Sequence, residues 1–456
     1  MAQRIVIVGG GPGGVAAAIR SRQLGAEAVL VEPDHLGGVC MNSGCIPIRI
    51  LGTCVEAAWT AADAERMGLR PMEFQMDPER LERRIEQTVQ YMRMGTRSLL
   101  KARAVEVLSG KARLTGDGRV QVNGKALKAD AVVLAMGADW ARPGFPGADL
   151  PGVGPPEPHF DVVGPHRRIL LAGGSDWTVE LAAFYARFGR ETALVEPEEF
   201  LPRFDRQISV RLRNELKKGG VDVLRHAAIE GVEKTSKGLR ALLRVKGGEE
   251  KREFDRVIFT DRVPRTSGMG LEAAGVALAE GAVSVDETLR TSLPHVYAIG
   301  DVTGPPYSSH KASAQGELAA ENALGARRSF AERVVPAVLY TRPEAAAVGL
   351  TEKGAKARHG KVLVGEVPYG FNARAMAEMK EGGVVRALFD EKYLQLLGVH
   401  VLGPHSAELI TQAALALQLE ATAQELVDVI APHPTYAEAL ADAARMAMGR
   451  ALYVPA

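Results

Sequence analysis

Residues 4–32 read RIVIVGGGPGGVAAAIRSRQLGAEAVLVE. The β-branched run Arg4 to Val8 ends in the glycine turn Gly9 to Gly14 and passes into an alanine-rich helical stretch, Val15 to Leu24. Ala28 to Val31 is a second apolar strand, closed by Glu32. Strand, turn, helix and strand form a βαβ unit carrying the dinucleotide fingerprint at Gly9, Gly11 and Gly14. Gly9 permits the tight turn, Gly11 lets backbone approach a pyrophosphate, and Gly14 lets helix pack on strand. The positive end of the helix faces the phosphates, and Glu32 accepts hydrogen bonds from an adenosine ribose.

The same unit recurs downstream. Arg168 to Ala172 is a strand, Gly173, Gly174, Ser175, Asp176, Trp177 and Thr178 form the turn, and Val179 to Phe188 is helical. Ala193 to Val195 with Glu196 repeats the strand-then-acid ending. The second fingerprint is degenerate, with Gly173, Ser175 and Thr178 in the three glycine places.

Soon after the first unit comes Gly37, Gly38, Val39, Cys40, Met41, Asn42, Ser43, Gly44, Cys45, Ile46, Pro47. Only one other cysteine, Cys54, exists in the 456 residues, so a structural disulphide framework is not indicated. A redox-active pair beside a nucleotide site is the better reading, with Cys54 a small buried apolar residue. The first strand begins within a few residues of Met1, which leaves no room for a cleaved leader, and no apolar run approaches a membrane span. A reducing, cytoplasmic compartment is therefore expected, where the pair cycles between dithiol and disulphide. Charge is balanced, 56 basic against 55 acidic residues, with no long basic run, which counts against a nucleic-acid partner. No metal-ligand spacing is present.

The length suits two to four domains. Asp77 and Pro78 open a helix running to about Leu100. Short strands around Val105 and Val120 bracket a turn at Gly116, Asp117 and Gly118, and Ala131 to Ala135 is another buried strand. Pro143, Pro146, Pro151, Pro155, Pro156 and Pro158 crowd one stretch and mark an inter-domain linker.

With these residues in place the chain resembles the flavoprotein disulphide reductases, nearly end to end. The resemblance rests on the first fingerprint, the CMNSGCIP segment and TSLPHVYAIGD at Thr291 to Asp301. It extends through VPAVLYTRPEAAAVG at Val335 to Gly349 and the closing run His433, Pro434, Thr435, Tyr436, Ala437, Glu438. It implies an α/β fold with two Rossmann-like βαβ nucleotide-binding domains and a C-terminal α+β dimerisation domain. The implied boundaries are an FAD-binding domain at 1–146 and 267–332, an NAD(P)-binding-like domain at 147–266 and an interface domain at 333–456.

The resemblance further implies that Cys40 attacks the substrate, Cys45 contacts the flavin, and His433 is acid and base, oriented by Glu438. FAD would be held by Gly9, Gly11, Gly14, Glu32, Gly38, Val39, Gly137, Asp301, His310 and Ala312. The active site would be shared across a homodimer, His433 serving Cys40 of the other subunit. The apolar stretch Leu409 to Leu419 suits such an interface and equally a core. Chemistry asks for such a set independently: exchange needs a thiolate, so a base must lie near it at neutral pH. Histidine titrates in that range, and a carboxylate holds its tautomer.

Departures from the family pattern gather in the pyridine-nucleotide half. Ser175 and Thr178 replace glycines, Asp176 and Trp177 occupy the loop over the nicotinamide, and Asp261 stands where glycine is usual. Together they count against NAD(P) binding, although Glu196 remains in place for a ribose. Arg49 replaces the lysine that pairs with a glutamate, matched here by Glu180, beside the flavin. Arginine keeps the charge but is forked and planar.

The expected activity is FAD-dependent thiol/disulphide oxidoreduction of dihydrolipoamide dehydrogenase type, with NAD(P) the nucleotide partner that the resemblance implies. Its substrate is a small dithiol or disulphide, or a lipoyl-bearing protein. One alternative keeps this relay with a different electron carrier, and another is a flavin-bearing redox sensor without turnover.

Overall fold

The computed structural model describes residues 2–70, 75–115, 119–157, 164–196, 198, 200–331 and 334–455. The Gly116 to Gly118 turn and Pro158 lie outside them. Two compact units partition the chain, one formed by 1–141, 157–164 and 262–332, the other by 142–156, 165–261 and 333–456.

The first unit is built on a five-stranded parallel sheet in the order Val296–Ala298, Ala131–Leu134, Arg4–Val8, Glu27–Glu32, Glu106–Ser109. Alternation along Arg4–Val8 splits its side chains between two cores. Ile5 and Ile7 pack with Ala17, Ala18, Leu318 and Ala319 on the helical face, while Val6 and Val8 join Leu114, Val120 and Val122 on the other. The helices Pro12–Gln23 and Ser309–Ala323 approach closely because both carry glycine at the crossing. A Cβ at Gly316 would lie 2.2 Å from the Gly13 carbonyl oxygen.

The strand near Val105 departs from expectation. It is Glu106–Ser109, and it extends the parallel sheet beside Glu27–Glu32 instead of bracketing the turn. The turn's flanking strands are Ala112–Leu114 and Val120–Val122, which pair antiparallel. Backbone hydrogen bonding to a buried neighbour decided this, and it leaves no local mark in sequence.

In the second unit a parallel sheet runs in the order Val221–Arg225, Glu191–Glu196, Arg168–Ala172, Arg256–Phe259, Val153–Gly154. The proline-rich stretch thus supplies an edge strand and is more than a linker. A separate antiparallel sheet follows, ordered Ala337–Leu339, Ala345–Gly349, Leu396–Leu402, Val384–Asp390, Val362–Pro368. Its strands Val384–Asp390 and Leu396–Leu402 are buried throughout, and helices Ser406–Gln418 and Glu438–Ala447 contribute Ile410, Ala413, Ala439 and Ala443 to the same core.

The expectation of no membrane-length apolar run also needs correction. Gly38–Ala62, the helices Gly38–Asn42 and Cys45–Ala62 taken together across the break at Ser43 and Gly44, is long and apolar enough to cross a membrane by length and composition, with 33% of the most apolar window buried. The polar residues Asn42, Ser43 and Arg49 interrupt the segment, so no unbroken apolar run marks it in sequence. Pro47, Ile48, Ile50, Leu51 and Val55 are buried in the fold, so a single such helix is weak evidence for a membrane. Cys54, expected to be buried, is half-exposed on this helix.

Candidate active site

Cys40 lies in the short helix Gly38–Asn42, and Cys45 is the first residue of Cys45–Ala62. The break between them at Ser43 and Gly44 turns the chain between the two cysteines, whose titrations depend on each other. Asn42 holds the turn: its amide donates to the Gly38 and Leu36 carbonyls at 2.8 and 3.2 Å, and its Oδ1 accepts from Arg93 Nε at 2.5 Å. Both cysteines are free thiols, Cys40 half-buried and Cys45 exposed.

The environment separates the two sulfurs. The hydrogen bond from Cys45 brings Cys40 down to about 7 from an ordinary 9.0, against opposition from burial and the Asp301 charge, with help from Ser309. Cys45 is pushed up, chiefly by its partner Cys40.

The glycine turn beside this pair fits a dinucleotide. Gly9 has φ of +110° and Gly14 packs so tightly that a Cβ there would lie 1.9 Å from the Gly9 carbonyl oxygen. At Gly11 an added Cβ would meet nothing nearer than Gly38 Cα at 4.0 Å, so the helix end opens onto space. Glu32 Oε2 accepts from the Gly10 N–H at 2.6 Å and Oε1 from the Asp34 N–H at 3.0 Å, which fixes the carboxylate at the sheet's edge. Each oxygen keeps a further lone pair for a ribose hydroxyl.

Asp301, in the turn Gly300–Thr303, pairs with Arg262 at 3.0 Å, and burial raises its carboxyl. Gly38, Val39 and Gly137 lie in the same unit, as do exposed His310 and buried Ala312 in the first turn of Ser309–Ala323. The FAD residues named from sequence thus gather at one sheet end of the first unit.

The second glycine turn differs in kind. Thr178 is buried, and its hydroxyl bonds that of Thr260, which also accepts from Ser175 Oγ at 2.9 Å. Asp261 Oδ1 accepts the Gly174 N–H at 2.9 Å. Asp176 opens the helix Asp176–Arg187, its carboxyl raised by burial and opposed by Arg203. Two acids therefore stand at the end of the turn where a diphosphate needs donors. Trp177 is half-buried beside them. Glu196 is held by Arg213, Nε to Oε2 and Nη2 to Oε1 both at 2.6 Å, with the guanidinium also over the Phe200 ring.

His433 and Glu438 come together: Nδ1 lies 2.9 Å from Oε1, and Oε2 accepts the Thr435 N–H at 2.8 Å. That second bond and the helix start at Glu438 hold the carboxylate, while the imidazole is 70% exposed. Glu180, buried in the second unit, accepts the Tyr340 N–H at 2.8 Å. Arg49 is half-buried on the cysteine helix of the first unit.

Sequence reading named Ser309 only as the start of a flavin-facing helix and missed Thr260 and Arg213. Nothing local marks the last two, whose partners come from distant turns of the chain. Ser309, by contrast, directly precedes His310, which the sequence does mark.

Two family models cover most of the chain: pyridine nucleotide-disulphide oxidoreductase over residues 3–316, and the dimerisation domain of that family over 335–444. The chain belongs to the pyridine nucleotide-disulphide oxidoreductases. It is 38% identical to a dihydrolipoyl dehydrogenase of Thermus scotoductus, covering 99% of this chain and 98% of the relative, and 34% identical to one from Zymomonas mobilis, covering 98% of each. Among solved structures, LpdA from Mycobacterium tuberculosis matches with a TM-score of 0.88 at 26% identity, over 97% of this chain and 99% of that one. The HOCl-induced flavoprotein disulphide reductase RclA from Escherichia coli matches with 0.83 at 25%, over 96% and 98%.

This member of the family is an FAD-dependent disulphide oxidoreductase resembling dihydrolipoamide dehydrogenase, with the two nucleotide-binding domains and dimerisation domain expected from sequence. The family couples FAD and pyridine nucleotides to disulphides.

Proposed function

We propose that the enzyme oxidises a small dithiol, or the dihydrolipoyl group of a protein, in a homodimer whose active sites each use two subunits. The observation that carries the reading is the Cys40 and Cys45 pair set on either side of the Ser43 and Gly44 turn next to the Gly9 to Gly14 loop, with the Cys40 thiol lowered by its partner. A substrate thiolate attacks Cys40 Sγ of the oxidised pair, forming a mixed disulphide and releasing Cys45 as thiolate. His433 of the other subunit takes the proton of the second substrate thiol, Glu438 holding the imidazole and stabilising its cation. That second sulfur closes the substrate disulphide and releases Cys40. Gly9, Gly11, Gly14, Glu32, Gly38, Val39, Gly137, Asp301, His310 and Ala312 would hold FAD, which supplies a two-electron acceptor when bound.

The same reading assigns FAD binding to 1–146 and 267–332, the nucleotide-like domain to 147–266 and the interface to 333–456, in a cytoplasmic enzyme. Arg49 and Glu180 take the family's places beside the flavin. Steady turnover of dihydrolipoamide that disappears in Cys40→Ser and His433→Ala supports it, and unaltered turnover in either variant overturns it.

The finer point is nucleotide use, where a second reading has its own observation. Asp261 fills the Gly174 N–H, so the donor that would meet a diphosphate is taken, and Glu196 is held in an ion pair with Arg213. NAD(P) binding is therefore weak, and an electron carrier other than a nicotinamide nucleotide serves the same relay. Anaerobic titration of the holoenzyme with NADH and NADPH tests this. Slow or absent flavin bleaching is expected, and rapid bleaching by either nucleotide restores the family's usual partner.

A further inference from the structure

The imidazole of His433 is 70% exposed, so its place is set by the loop behind it, and that loop is clasped at Thr435. The Thr435 N–H donates to Glu438 Oε2 at 2.8 Å, its hydroxyl donates to the Pro432 carbonyl at 2.8 Å, and its carbonyl accepts from Asn372 Nδ2 at 2.9 Å. Asn372 comes from the connection between the strands Val362–Pro368 and Val384–Asp390. It is buried, and its Oδ1 caps the short helix Ala373–Ala377 by accepting the Ala375 N–H at 3.0 Å. Its own N–H donates to the Tyr369 carbonyl at 2.9 Å. These partners fix the amide's orientation, because turning it over would set Nδ2 against the Ala375 N–H and Oδ1 against the Thr435 carbonyl.

The same segment grips the loop a second time, at the next residue. Tyr436 is buried, and its hydroxyl donates to Glu378 Oε2 at 3.0 Å. Its ring meets Tyr369 edge-on with centroids 5.3 Å apart and lies 5.4 Å from the ring of His405. Glu378 also pairs with Arg374 and lies 3.9 Å from Lys380, so the phenol is held by a charged acceptor that is itself anchored.

We propose that Asn372 is a positioning residue of the thiol chemistry, acting on His433 through Thr435 and Glu438. Glu438 divides its two oxygens between His433 Nδ1, at 2.9 Å, and the Thr435 N–H, so the carboxylate is aimed at the imidazole only while Thr435 stays in place. Asn372 holds Thr435 by its other polar group, the carbonyl. Without that donor the Thr435 backbone is free to turn, the carboxylate turns with it, and the base loses its orientation. Tyr436 and Glu378 limit the same movement. No proton or electron passes through Asn372, and no bond to it forms or breaks.

The inference rests on the reading of His433 as the base, and the experiment separates the two. Flavin reduction in the holoenzyme by dihydrolipoamide, followed anaerobically by stopped-flow absorbance, needs no second electron carrier. Asn372→Ser and Asn372→Asp both keep a side-chain oxygen for the Ala375 N–H and remove the amide donor, so the helix cap survives in each. The limiting rate should fall about tenfold in both, with the half-saturating dihydrolipoamide concentration little changed, as when an interaction that matters only in the transition state is lost. In a Glu438→Ala background the same replacements should cost less than about twofold, because the group through which Asn372 acts is gone. A native rate in the single variants, or an equal loss with and without Glu438, overturns the role. If the aspartate variant fails to fold, the serine variant alone decides. Unimpaired flavin reduction in His433→Ala would instead overturn the reading of His433 as the base, and the inference with it.

Discussion

At Cys40 two opposing effects meet, and their balance makes a pH prediction. Burial and Asp301 push the thiol up, while the hydrogen bond from Cys45 outweighs them and brings it to about 7. A lowered value means that the reactive anion accumulates as pH rises through about 7 and is nearly complete by the ordinary 9.0. Alkylation of the reduced holoenzyme should therefore climb with pH to a plateau with its midpoint near 7 at Cys40, while Cys45, pushed up, reacts slowly throughout. A midpoint near 9.0 at Cys40 would show that the contact with Cys45 does not hold the charge. The spacing of these cysteines was readable in sequence because one short segment places both thiols. The charges that oppose a Cys40 thiolate were not, since Asp301 lies far along the chain.

The two glycine turns, one sequence pattern met twice, show what an element adds to its residues. In the first, Gly14 meets Gly9 through backbone alone; in the second, Thr178 stands at the same place, and a hydroxyl bond to Thr260 replaces the close approach. The departures at Ser175, Thr178 and Asp261 were legible as substitutions. Their mutual satisfaction was not, because Thr260 and Asp261 lie far downstream and are brought in by the parallel pairing of Arg168–Ala172 with Arg256–Phe259. Likewise Glu196 looked available in sequence and is locked by Arg213 in the fold. The double variant Ser175→Gly with Asp261→Gly frees the Gly174 N–H and removes one acid, while leaving the buried Thr178 and Thr260 pair to hold the helix. A hydrogen bond to a charged group is worth ~1.5–3 kcal/mol, so NADH affinity should rise roughly tenfold to a hundredfold. Calorimetric titration of the holoenzyme checks this, and an unchanged affinity would place the defect elsewhere.

On the scale of the whole molecule, the sequence left the stretch Leu409 to Leu419 open between core and interface, and the fold divides it. Ile410 and Ala413 are buried, whereas Leu415 and Leu419 are 60% and 70% exposed, as alternate faces of one helix require. Val429 and Ile430, just before His433, are 64% and 95% exposed, a large apolar surface to leave to water beside the proposed catalytic histidine. In the proposed two-fold dimer this patch meets its own copy and each histidine serves a neighbour's thiol. The sharpest test of that arrangement mixes two inactive chains. Cys40→Ser and His433→Ala each destroy both sites of their own homodimer, but a dimer of one with the other rebuilds one complete site from an intact Cys40 and an intact His433. Random pairing makes half the dimers mixed, each with one working site of two, so co-expressed chains should recover about a quarter of native dihydrolipoamide turnover. Sites contained within single chains would recover nothing, and so would dimers in which the two subunits do not exchange residues.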